Sequence, residues 1–370
     1  MTVAPARRTP ATSPPVPPPA PPRGSRVTRA DHRTEVVPLT AGDGTRLSLV
    51  HVRGPVEPWR GPVLLVHGAG VRAELFRPPT PRTLVDLLLE AGWDVWMLNW
   101  RASIDLDPVP WTLCDVAVHD HPAAVEHVLA ATGAPTLKAF VHCQGSTSFT
   151  MAAVAGLLPR VDTVVTNAVS LHPVVPWFSA FKIRYLAPLL EHLTPHLSPA
   201  WAYRSEGNLS KVVRRLVDLT HPECDNLVCR MVSFTYGSGY PALWSHRNLD
   251  RATHDWITGE FAEVPMSFFA QMRASIDAGH LVAVRDHPEL PVGLGVRAPR
   301  TTARFSFLAG VDNRCFLPES QVRSHAFFTH HQPDAGHTLH VLPGYGHLDV
   351  VFGRHAWRDT HPVILEELDR

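Results

Sequence analysis

The chain has 370 residues, 45% of them hydrophobic and 18% charged, and its 34 Lys and Arg balance 34 Asp and Glu. That supplies a core for one large domain or two small ones, and a neutral chain has no strong electrostatic reason to bind nucleic acid or an anionic membrane surface. No apolar run reaches the roughly 18 residues of a membrane-spanning helix, and five cysteines do not read as a disulfide scaffold, so the composition predicts a cytoplasmic protein without a membrane span.

Residues 1–30 stand apart: the first 25 hold nine of the 36 prolines and almost nothing large and apolar. Such a stretch cannot bury enough surface to offset its ordering entropy, which predicts a disordered tail. From Glu35 short apolar strands alternate with helical patterns. Arg46 to Val52 alternates polar and apolar residues, as a half-buried strand does, whereas Pro62 to Val66 is continuously apolar, as in the middle of a parallel sheet. Thr83 to Glu90 reads as a helix, Asp94 to Trp100 as a strand, Asp115 to Ala131 as a helix stopped at Gly133, and Thr136 to Cys143 as a strand. A helix from Thr147 to Leu158 and a strand from Asp162 to Ser170 follow. Between about Pro173 and Pro299 the alternation fails in a stretch rich in Trp, Phe, Tyr and His, read as a largely helical insertion. Strands resume at Arg304 to Leu308 and Thr338 to Leu342, and a short helix ends the chain. The pattern predicts an α/β fold with a mainly parallel sheet, divided into a tail (1–30), a core (31–172 and 300–370) and a helical cap (173–299).

The chemistry concentrates in four segments, each at the C-terminal end of a predicted strand. Val141-His142-Cys143-Gln144-Gly145-Ser146 lies between strand and helix, where a sharp turn lifts one side chain above the sheet edge beside a helix N-terminus that favours a thiolate. A cysteine at a strand end is otherwise a buried, inert side chain. Two later loops answer it: Ala309-Gly310-Val311-Asp312 and Pro343-Gly344-Tyr345-Gly346-His347. The order nucleophile, acid, histidine makes Cys143 the nucleophile, His347 the base and Asp312 the group that fixes the imidazole tautomer. His67-Gly68-Ala69-Gly70 follows an earlier strand, so the backbone N–H groups of Ala69 and Gln144 are placed to face a developing oxyanion.

From about residue 35 onward these motifs resemble an α/β-hydrolase, which implies an eight-stranded, mostly parallel sheet flanked by helices. Gly346 to Gly353 is similar to the histidine segment of acid lipases, and the His-Cys-x-Gly-Ser elbow to hydrolase-like proteins associated with glucose-methanol-choline oxidoreductases. Cys143 in place of Ser resembles dienelactone hydrolases and polyhydroxyalkanoate synthases, and Gly92 to Arg101 also resembles the synthases. Two departures are Val141, where the usual elbow has Gly, and the cysteine itself.

The resulting expectation is a Cys-dependent hydrolase of an ester, thioester or lactone with a hydrophobic acyl or ring moiety, acting through an acyl-Cys intermediate. The alternatives are an acyltransferase or synthase using the same triad, and a non-catalytic partner of an oxidoreductase. The pocket is expected to draw on His67, Gly68, His142, Trp177 and Phe178, the last two from the cap. Ser146 is the rival nucleophile, Glu319 the rival acid, and Asp349 an anchor for the histidine loop. His119-Asp120-His121 and His330-His331 read as solvated surface groups, and no second Cys or His pair completes a zinc site with Cys224 and Cys229. No phosphate loop or dinucleotide fingerprint is present, so neither a metal nor a cofactor is expected.

Overall fold

A computed structural model describes residues 27–370, apart from Glu206, Tyr240 and Asp286. Most of the predicted tail lies outside the described residues, but its last four belong to the folded unit. Val27 is buried with its N–H donating to Glu90 Oε1 at 2.7 Å, and Arg29 donates to the Arg77 carbonyl at 2.6 Å.

Eight strands form one sheet: β1 (Arg33–Thr40), β2 (Arg46–Arg53), β3 (Pro62–Val66), β4 (Asp94–Asn99), β5 (Leu137–His142), β6 (Val161–Asn167), β7 (Arg304–Gly310) and β8 (Thr338–Leu342). Their spatial order is β1-β2-β4-β3-β5-β6-β7-β8, antiparallel at β1/β2 and β2/β4 and parallel elsewhere. All five residues of β3 are buried, which matches its unbroken apolar run, while β1 is an edge strand with Val36 facing solvent.

Helices α1 (Leu84–Glu90), α2 (His121–Thr132) and α3 (Cys143–Val154) connect these strands. Thr83 caps α1 by accepting from the Asp86 N–H, and Gly133 ends α2 at φ 68°, a left-handed position glycine takes without a Cβ clash. Helix α3 starts at Cys143, four residues before the apolar pattern suggests. Gly145, Ser146, Thr147 and Ser148 are weak helix formers, but Ser146 and Thr147 donate back to the Cys143 carbonyl and Ser148 to that of Gln144. Residues 144–154 are all buried, so packing overrides propensity.

Between β6 and β7 the chain forms the cap. It begins with a helical segment from Trp177 to Glu191, followed by α4 (Asn208–Thr220), α5 (Leu227–Tyr236), α6 (Arg251–Trp256) and α7 (Met266–Ala278). His196–Leu197 pairs with Val264–Pro265 in a two-residue ladder, and the described residues between 279 and 299 return to the core without a helix. Helices α8 (Pro318–His331) and α9 (His361–Asp369) complete the core. No helix among the described residues is long and apolar enough to cross a membrane.

Candidate active site

Cys143 occupies the turn between β5 and α3 with φ at 55°. A non-glycine residue held there costs on the order of 1–3 kcal/mol, which the surrounding structure must offset. Gly145 permits the turn, because a Cβ at that position would run into the His67 carbonyl. Val141, at the position the usual elbow gives to glycine, is a buried residue of β5. The backbone N–H groups of Ala69 and Gln144, the two donors read from the sequence, lie beside the Cys143 sulfur and favour its charged form. Burial nonetheless pushes the thiol up to about 12, against the opposing pull of those two donors. Desolvation thus outweighs the helix N-terminus, and the resting group is a thiol rather than the thiolate anticipated.

His347 is buried in the loop after β8, and burial lowers its ring to about 3, so it is neutral. One ring nitrogen each of His347 and His142 lies within 4.8 Å of the Cys143 sulfur and of each other. The partner of His347 Nδ1 is Asn313, whose Nδ2 stands 3.1 Å away. Asp312 does not fill the place assigned to it: its carboxylate is half-exposed and pairs with Arg247 at 2.9 Å. The turn after β7 decides between these neighbours. The Asp312 N–H donates to the Tyr345 carbonyl and that of Asn313 to Gly310, which leaves only Asn313 pointing inward.

The orientation of Asn313 has a chemical consequence. Its Oδ1 accepts from the N–H groups of Cys315 and Phe316, at 2.9 and 3.2 Å, so Nδ2 must be the atom facing His347. Nδ1 is therefore an acceptor and the ring proton sits on Nε2, a buried atom without a hydrogen-bond partner among the described residues. Asn167 does the same to His142: its Nδ2 donates to His142 Nδ1 at 2.8 Å and to the His347 carbonyl at 3.0 Å. Both rings thus carry their proton on Nε2.

An apolar cavity opens over Cys143. Gly68, Ala69, His142, Gln144 and His347 form its floor, and Tyr236, Phe261, Phe268, Phe269, Met272 and Phe316 its walls. Of the expected pocket residues, Gly68 and His142 are there, but His67, Trp177 and Phe178 do not line it. His67 is fully buried behind the turn, where its carbonyl accepts from Trp100 Nε1 at 2.9 Å. Trp177 and Phe178 belong to an outward-facing aromatic row with Phe181 and Tyr185, and Trp177 is 80% exposed. The sequence reading missed Asn313, because a carboxylate was the residue type sought, and Tyr236, Phe261 and Phe316, whose aromatic rings serve equally as core or lining until the cap is folded.

The remaining sequence candidates separate cleanly. Ser146 donates to the Cys143 carbonyl at 2.6 Å, away from the cavity, and Glu319 pairs with Arg323 on the surface of α8. Asp349 is buried and accepts from Gly346 N–H, Ser245 N–H and Asn248 Nδ2 at 2.7, 3.1 and 2.6 Å, tying the histidine loop to the cap. Asp120 and His121 are buried rather than solvated, the first gripped by Arg101 and the second 2.7 Å from Ser148 Oγ. Cys224 and Cys229 do have a completing pair, His246 and His254, brought in by the fold.

Comparison with known proteins agrees with this architecture. A family model for the alpha/beta hydrolase fold matches residues 61–214. The chain is similar to Lipase 1 of Drosophila melanogaster, at 30% identity over 40% of this chain and 36% of that protein. It is also similar to Sterol esterase 2 of Saccharomyces cerevisiae, at 26% identity over 35% and 29% respectively. The chain thus spans about a third of the length of these curated relatives. Among solved structures, a monoacylglycerol lipase of Paleococcus ferrophilus aligns with a TM-score of 0.53 at 15% identity, covering 91% of this chain and 98% of the other. The esterase EaEST from Exiguobacterium antarcticum aligns at 0.55 and 11% identity, over 90% and 99%. These likenesses establish the fold.

Proposed function

We propose that this chain, an α/β-hydrolase by fold, cleaves carboxylic esters or thioesters of an apolar acyl group through a transient acyl–Cys143. The observation that carries the reading is Cys143 at φ 55° with its sulfur facing two backbone N–H donors at the floor of an apolar cavity. A substrate carbonyl entering there would place its carbon against the sulfur and its oxygen toward Ala69 and Gln144 N–H, the donors needed as negative charge develops. The apolar walls suit a hydrophobic acyl or ring group. The names lipase and sterol esterase carried by the relatives agree with that substrate class.

The proton step is where this site departs from a Ser-His-Asp arrangement. To take the thiol proton, His347 needs its lone pair on Nε2 and its own proton on Nδ1. Asn313 can accept from Nδ1–H only by turning its amide, which gives up the bonds from Cys315 and Phe316 N–H. At about 1–3 kcal/mol for each buried N–H left unsatisfied, that is a substantial cost. The imidazolium formed would have an amide beside it rather than a carboxylate. The sulfur then attacks, the leaving alcohol or thiol takes the proton from His347, and water or another acceptor resolves the thioester. We therefore infer a slow enzyme. The same Asn313 polarity favours a second reading, in which the cavity binds an apolar ligand without turnover.

Chromogenic aryl esters and acyl thioesters of graded chain length, with and without an alcohol acceptor, distinguish these readings. Turnover that is lost in Cys143→Ala supports the proposal, and product distribution between water and alcohol tells hydrolysis from transfer. Saturable ligand binding without turnover in either protein supports the second reading.

A further inference from the structure

The cap contains a second constellation that the proposed reaction does not use. Cys224 lies in the loop before α5, Cys229 in its first turn, His246 in the connection to α6, and His254 on α6 itself. One ligand atom from each of the four lies within 4.8 Å of the others. Cys224 Sγ is 3.6 Å from His254 Nε2, and Cys229 Sγ is 3.4 Å from His246 Nε2.

Those separations are the edge lengths of a metal tetrahedron. With zinc–sulfur bonds of about 2.3 Å and zinc–nitrogen bonds of about 2.05 Å, tetrahedral geometry puts sulfur and nitrogen about 3.6 Å apart. Two thiolates and two imidazoles are also the donor set of closed structural zinc sites. The backbone around them is fixed independently. Asn226 caps α5 by accepting from the Val228 and Cys229 N–H groups, and its Nδ2 donates to the His254 carbonyl at 2.8 Å. That single side chain sets the approach of α5 to α6, as an outer support does for metal ligands.

We propose that Cys224, Cys229, His246 and His254 bind one structural zinc ion, which fastens α5, α6 and the segment between them. The segment matters because it holds the histidine loop. The Leu243 carbonyl accepts from His347 N–H at 3.0 Å, and Asn248 Nδ2 donates to the Gly344 carbonyl at 2.7 Å and to Asp349. His246 lies between those two anchors, so the metal braces the cap against the loop that carries His347. The ion has no open coordination position and no part in bond breaking.

Elemental analysis of the full chain after zinc loading and exhaustive dialysis tests this. One zinc per chain is expected, retained in Cys143→Ala and lost in the double variant Cys224→Ser/Cys229→Ser. The Cys143 variant is needed because His142, Cys143 and His347 form the other cluster of potential ligands. Should the double variant fail to fold, cobalt exchanged into the parent chain is the independent readout: thiolate-to-cobalt charge transfer and intense tetrahedral ligand-field bands are expected, also in Cys143→Ala. The rescue variant His254→Cys should keep one metal per chain. Less than a tenth of an equivalent of metal in the parent, a Cys224–Cys229 disulfide in the freshly purified protein, or metal lost in Cys143→Ala would overturn the proposal.

Discussion

At the scale of single residues the decisive pair is Asp312 and Asn313. Exchanging a triad carboxylate for an amide costs about 10⁴-fold where the carboxylate orients the histidine, and here the amide is the resident group. Asn313→Asp keeps the acceptor for Cys315 and Phe316 N–H while offering a second oxygen to Nδ1–H. It should raise kcat by at least about tenfold, whereas Asp312→Asn, which only loses the Arg247 pair, should change it less than about threefold. Steady-state kinetics of the two variants check this, and a rate loss confined to Asp312→Asn would return the role to that residue. The thiol makes a separate prediction. Burial holds Cys143 up at about 12, so its thiolate fraction rises tenfold per pH unit well below that value. Iodoacetamide labelling of Cys143 should climb steadily between pH 7 and 10. A plateau below pH 8 would mean that a thiolate–imidazolium pair already exists at rest.

At the scale of elements, the sequence was most legible where one physical signal dominated. The unbroken apolar run of β3, the strand pattern of β5 and the capping Thr83 produced elements at or within a residue of their positions. The start of α3 was misjudged, because serine and threonine back-bonding and complete burial do what propensity does not. The cap could be recognised as helical, but not which of its aromatics would face Cys143: Phe268 and Phe269 turn inward while Trp177 faces solvent. Asn313 was hidden because side-chain direction in a turn depends on backbone bonds made to Tyr345 and Gly310, which are distant or invisible in the local pattern. Cys224 and Cys229 found their partners only through the packing of α5 and α6. One element-scale prediction concerns Asp349, which joins the histidine loop to the cap. Asp349→Asn turns one of its oxygens into a donor facing donors, a loss of about 1–3 kcal/mol. A lowered melting temperature together with a reduced kcat is expected, and an unchanged kcat would show that the loop keeps His347 in place without this tie.

At the scale of the whole molecule, buried neutral histidines make stability depend on acid. Burial lowers His67 to about 4, His121 to about 3 and His361 to about 4. Unfolded rings protonate near pH 6.5, so below that value the unfolded state binds more protons and stability falls until the folded rings titrate. Asp349 acts in the opposite sense, because burial raises it to about 6 and the folded state takes its proton first. Between pH 7 and 5 these four groups together remove roughly 4–5 kcal/mol. For a chain of this size that lowers the melting temperature by about 5–10 °C. A melting temperature flat down to pH 5 would show that these rings are not kept neutral by the fold.

The central claim is that Cys143 becomes acylated. Rapid mixing with an activated apolar acyl ester, acid quenching, and intact-mass measurement followed by peptide mapping test it most directly. The account predicts a mass increase equal to one acyl group, located on the peptide containing Cys143, absent in Cys143→Ala and persisting longer in the parent than in Asn313→Asp. An adduct on Ser146, or substrate turned over at the parent rate by Cys143→Ala, would contradict it.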